Sequence, residues 1–72
     1  MAERLHNHLR RVRAERDLTQ AQLAELAGVS RKTINTVENG IFVPSTILAL
    51  RLSRVLGLTV EQLFEIAEVD KT

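Results

Sequence analysis

Seventy-two residues without a single cysteine hold one domain with a modest core and exclude disulfide staples and Cys-based zinc sites. Two aromatic residues, Phe42 and Phe64, are too few for the stacking platforms on which single-strand and RNA binders rest. The net charge is only +1, but residues 1–36 carry seven basic groups against four acidic ones, and residues 37–72 carry three against five.

Residues 3–16 are predicted as a first helix, because Leu5, Leu9 and Val12 fall at i, i+4 and i+7 and make one apolar stripe. Its other faces are rich in arginine. His6 and His8 form an H-x-H pair there, and at helical spacing i and i+2 point apart, which argues against joint metal coordination. Asp17-Leu18 breaks the pattern. Thr19 and Gln22 make a T-x-x-Q capping box that opens a second helix over residues 20–27, packed through Leu23, Ala24 and Ala27. Ala24 is small enough to let another helix cross closely. Gly28 occupies a turn that wants positive φ, and Ser30 caps a third helix running to Glu38. Val29, Ile34 and Val37 hold that helix against the second, and Asn39-Gly40 ends it.

Residues 41–44 read as a short extended link, since the residue before Pro44 is pushed from helical geometry. Ser45 then caps a fourth helix to Leu56, with Leu48, Leu52 and Leu56 as its buried ladder and Gly57 as its stop. Thr59 and Gln62 repeat the capping box and open a fifth helix through Leu63, Phe64 and Ile66. The domain is expected over residues 9–66, with residues 1–8 as the start of the first helix and 67–72 as a short polar tail that frays. There is no internal repeat, linker or low-complexity segment.

Two short helices joined by a glycine turn form a helix-turn-helix signal over residues 20–39. The outward face of its second helix carries Arg31, Lys32, Asn35 and Thr36, side chains suited to base edges and phosphates. Arg31 and Lys32 sit in a first helical turn, where positive charge opposes the helix dipole at a cost of some tenths of a kcal/mol. An anionic partner explains two adjacent cations there. Arginine can bond guanine bidentately, asparagine can read adenine, and a threonine methyl can touch that of thymine. Gln20, at a helix N-terminus, suits a phosphate. Phe42, Ile47, Leu50, Val60, Phe64, Ile66 and Val69 exceed what the leucine ladders need; either most complete a small core or, the reading preferred, some form a self-complementary dimer patch around the fourth and fifth helices. No paired acids in a cleft, glycine-rich phosphate loop or nucleophile–base grouping is present, so no enzyme, cofactor or small-molecule substrate is expected. No apolar run reaches the ~18 residues of a membrane span, and residues 1–8 lack a signal-peptide core, so the expected location is cytoplasmic.

The same residues resemble the Cro/C1-type (XRE) helix-turn-helix regulators over residues 9–66. The match runs through L-T-Q-x-x-L-A at 18–24, G-V-S-R-x-T-I at 28–34, E-N-G at 38–40, P-S at 44–45, L-A-L at 48–50 and E-x-L-F at 61–64. The resemblance implies an all-α, five-helix lambda-repressor-like domain that binds double-stranded DNA as a two-fold dimer on an inverted repeat. Carried onto this sequence, base contacts fall to Arg31, Lys32 and Thr36, with Asn35 and Thr33 beside them. Phosphate contacts fall to Thr19, Gln20, Ser30, Thr33 and Asn39, and Arg13 with Glu38 matches the family's internal ion pair. Ile47 and Thr46 depart from the pattern, where a charged residue and a leucine are usual, and residues 41–43 lack the basic residue that often follows the glycine. The expected function is a sequence-specific transcriptional repressor acting as a homodimer. The rival is an antitoxin-type protein-interaction module that also represses its own operon; a controller of restriction–modification genes would share the chemistry of the first reading.

Overall fold

Four side-chain caps fix where helices begin. Thr19, Ser30, Ser45 and Thr59 each have extended backbone, and each side-chain oxygen accepts the N–H three residues on. Such a cap contributes about 1 kcal/mol. Gln22 and Gln62 reciprocate, their amide oxygens each accepting a cap N–H at 2.8 Å. The computed structural model describes residues 3–68. Its elements in chain order are β1 (Glu3–Asn7), α1 (Leu9–Glu15), α2 (Gln20–Ala27), α3 (Arg31–Glu38), α4 (Thr46–Leu56), α5 (Val60–Leu63) and β2 (Phe64–Glu68). Gly28 and Gly57 close α2 and α4 in the left-handed conformation, at φ 74° and 71°.

The core draws on every helix. Leu9 and Val12 of α1 meet Leu23 of α2, Ile34 of α3, Leu52 of α4 and Leu63 of α5, all fully enclosed. Ala24 of α2 is buried in this core, where a longer side chain would have to displace its neighbours. Truncating any of the enclosed leucines to alanine costs about 2–5 kcal/mol, a large share of a small domain's stability.

The two ends of the chain correct the all-α expectation. Residues 3–7 do not begin the first helix, and residues 64–68 do not prolong the fifth. They pair as an antiparallel ribbon in which Leu5 faces Ile66, His6 faces Glu65 and Asn7 faces Phe64. The fold is therefore mostly α, five helices with one two-stranded sheet, and α5 is a single turn. Alternation is the cause: on a strand successive side chains take opposite faces, so Leu5 and Phe64 turn inward while His6 and Glu65 turn out. The apparent stripe from Leu5 to Val12 mixes a strand residue with two helical ones. Asn7 makes the break, its Oδ1 accepting the Leu9 N–H at 3.2 Å and its Nδ2 donating to the Val37 carbonyl at 3.0 Å. The helical ground for setting His6 and His8 apart fails with the helix, since i and i+2 share a face along a strand. Residues 1–2 of the expected first helix, and residues 69–72 with Val69, lie outside the described residues.

Amide exchange followed by NMR distinguishes the two geometries. In an antiparallel pair N–H groups alternate between paired and outward-facing, so protection across residues 4–7 and 64–67 should alternate residue by residue. Unbroken protection would mean a helix.

Candidate nucleic-acid interface

The turn between α2 and α3 is closed by two backbone bonds, from the Gly28 N–H to the Glu25 carbonyl at 3.2 Å and from the Val29 N–H to the Ala24 carbonyl at 3.0 Å. Ser30 follows in extended geometry and starts α3, its Oγ accepting the Thr33 N–H at 3.1 Å. With Ile34 and Val37 fixed in the core, the 3.6-residue period leaves Arg31, Lys32 and Asn35 exposed on the outer side. Thr33 and Thr36 lie half-buried along one edge. Among the described residues no ion pair involves Arg31 or Lys32. A shallow groove of about 300 Å³ runs beside them, between Lys32, Thr33 and Thr36 on α3 and Ile41 and Phe42 of the following loop.

Several of the expected contact residues are already engaged with one another. Gln20 donates its Nε2 to Asn35 Oδ1 at 3.2 Å and to Glu38 Oε1 at 3.0 Å. Asn39 donates its Nδ2 to the Asn35 carbonyl at 2.9 Å and to Asn35 Oδ1 at 3.2 Å, and its own Oδ1 accepts from Arg10 Nη2 at 2.7 Å. The Asn35 amide oxygen is thus occupied by two donors, which leaves its N–H groups as the outward-facing function. Thr36 Oγ1 donates to the Thr33 carbonyl at 2.9 Å. The Thr19 and Ser30 hydroxyl oxygens accept cap N–H groups. At the first turn of α2 the early backbone N–H groups have no partner within the helix.

Beneath this face lies the carboxylate of Glu38, whose side chain is fully enclosed. Arg13 grips it at two points, Nε to Oε2 at 2.6 Å and Nη2 to Oε1 at 3.2 Å, and spends Nη1 on the Leu18 carbonyl at 2.7 Å. Arg10 Nε approaches Oε1 at 3.5 Å, and Gln20 completes the set. One carboxylate therefore ties α1, α2 and α3 together. Sequence reasoning did not place Arg10 here, although it lies three residues before Arg13 and so on the same helical face. A pair this enclosed adds little net stability over an apolar replacement, but removing one partner strands the other and costs about 3–5 kcal/mol.

Burial by itself would raise the Glu38 carboxyl. The hydrogen bonds from Arg13 and Gln20, the Arg13 charge and the Arg10 hydrogen bond outweigh it and hold the group below its ordinary value. A lowered native value means that the unfolded chain binds the proton more readily. The stabilisation is therefore complete above about pH 4.5 and is lost as pH falls through the lower native value. In denaturant titrations the stability gap between wild type and Glu38→Gln should be constant at neutral pH and narrow below about pH 4.5. A gap unchanged down to about pH 3 would show that the carboxyl titrates as an ordinary one.

Comparison with known proteins agrees with this geometry. A family model described as helix-turn-helix matches residues 9–69. A helix-turn-helix-type transcriptional regulator of Methanocaldococcus jannaschii is 40% identical over 60 residues, covering 83% of this chain and 91% of that protein. Among solved structures, the restriction-modification controller protein C.AhdI of Aeromonas hydrophila superposes with a TM-score of 0.72 at 31% identity, over 75% of this chain and 82% of that one. The SOS-response transcriptional repressor LexA of Eubacterium rectale gives a TM-score of 0.74 at 26% identity, over 89% and 68%. Among the described residues no helix is long and apolar enough to cross a membrane. A capped two-helix motif with an outward cationic face, matched over most of its length by such relatives, places the chain in the Cro/C1-type (XRE) helix-turn-helix family of DNA-binding transcriptional regulators.

Proposed function

We propose that this regulator is a sequence-specific repressor that binds an inverted-repeat operator in double-stranded DNA as a homodimer. The observation that carries the reading is the exposed Arg31–Lys32 tip of α3, outside every ion pair among the described residues, on the helix whose Asn35 and Glu38 bond Gln20 at the start of α2. In the major groove Arg31 bonds guanine O6 and N7, Lys32 takes an adjacent base or phosphate, and Thr36 meets a thymine methyl along the groove wall. Asn35 acts as a donor, because its oxygen already serves Gln20 and Asn39. The hydroxyls of Thr19, Ser30 and Thr33, the first backbone N–H groups of α2 at Gln20, and Asn39 face the phosphates on either side.

The dimer rests on apolar surface that the core does not use. Ile47 and Leu50 on α4 and Ile66 on β2 are each more than half exposed, and Leu50 lines a groove of about 420 Å³ together with Leu5, Val43 and Val60, over a floor of the core residues Ala49 and Phe64. A second copy seated there buries the patch and sets two α3 helices about 34 Å apart, one helical turn of DNA. Repression then follows from occupancy of the promoter, and the LexA neighbour is itself a transcriptional repressor. C.AhdI, a restriction-modification controller, favours a restriction–modification setting for the same chemistry.

Arg31→Ala should lower operator affinity by about 1–3 kcal/mol and relax the preference at one base pair per half-site, read from competition between site variants. Equal losses on operator and random DNA would make Arg31 a phosphate contact. Leu50→Glu, at an exposed position, should leave helix content unchanged and convert the dimer to monomer in sedimentation velocity. A wild type that is itself monomeric would assign the patch to a different protein, as an antitoxin requires.

A further inference from the structure

The outer face of the ribbon gathers the only two histidines of the chain against one carboxylate. His6 stands opposite Glu65 in the antiparallel register. His8, two residues on, comes to the same face just after the strand ends. Its Nε2 lies 3.1 Å from Glu65 Oε2, and the two imidazoles meet edge to face with centroids 4.7 Å apart. One donor atom from each residue lies within 4.8 Å of the other two. None of the three belongs to the α2–α3 surface or to the core.

We propose that His6, His8 and Glu65 form a binding site for a divalent d-block ion of the zinc class. Two imidazole nitrogens and one carboxylate are the donor set that zinc takes in open three-ligand sites, whereas magnesium and calcium ask for oxygen throughout. A tetrahedral ion with bonds of about 2.0–2.2 Å holds its ligands about 3.3 Å apart. The His8–Glu65 pair already has that spacing, and His6 closes the remaining gap by a rotamer adjustment on an exposed side chain. The fourth position stays open to water. Cross-strand neighbours on a hydrogen-bonded ribbon keep the backbone positions of the ligands fixed, so little chain has to be ordered on binding. Because His6 and Glu65 lie on different strands, the ion also clamps β1 to β2 and stabilises the folded state by mass action.

The test uses the tag-free full chain, titrated with Zn2+ by calorimetry in a non-coordinating buffer, with Mg2+ as control. The expected result is saturable one-to-one binding of Zn2+ only, a rise in Tm, and shifts of both imidazole 15N resonances. His6→Ala and the near-isosteric Glu65→Gln, each first shown to be folded by circular dichroism, should weaken binding by about tenfold or more, at least the loss that removing a supporting partner causes. Absence of saturable binding, equal binding of Mg2+, or affinity unchanged in both variants would overturn the site.

Discussion

The fold of the DNA-binding motif hangs on one enclosed carboxylate. Glu38 ends α3, and the groups that satisfy it come from α1 and α2: the forked guanidinium of Arg13, the second arginine at position 10 and the amide of Gln20. Apolar packing by Ile34 and Val37 fixes how deep α3 sits, but packing is tolerant of small rotations. A bidentate ion pair is not, because both N–H bonds must stay in plane with the carboxylate. The network thereby sets the rotation of α3, and with it which residues face outward. Its contribution lies in orientation more than in stability.

The same network reaches the surface. Gln20, Asn35 and Asn39 bond to one another and to Arg10, so polar side chains near the proposed reading face are ordered before any ligand arrives. Ordering them in advance lowers the entropy cost of association. Arg31 and Lys32 are left outside it, exposed and adaptable at the helix tip. A firm floor with two adaptable cationic tips suits a search along phosphates followed by a fit to bases.

How much of this was legible in the sequence depended on whether the signal was local. Caps and stops are local: Thr19 with Gln22, Ser30, Ser45, Thr59 with Gln62, and the glycines at 28 and 57 each declare a helix end over a short span, and α2, α3 and α4 lie where those signals put them. The ribbon is not local. Neither R-L-H-N nor F-E-I-A is long enough to reveal its alternation, and each becomes a strand only because the other, beyond all five helices, returns to pair with it. Leu5 falls at helical distance from Leu9, so periodicity alone read through the break that Asn7 makes. Of the interface, the outward position of Arg31, Lys32 and Asn35 followed from the spacing of Ile34 and Val37. The prior engagement of Gln20, Asn35 and Asn39 did not, since side-chain partners across two helices leave no mark in one-dimensional order.

The pairing of Glu3 with Glu68 has a consequence for how the chain is made. Helices α2 and α3 are joined by a short turn and can pack on each other before the rest of the fold is in place. The sheet cannot, because its second strand is synthesised only after every helix. Through most of translation β1 is an edge without a mate, and its closure comes as a late, separate event in the life of each newborn molecule.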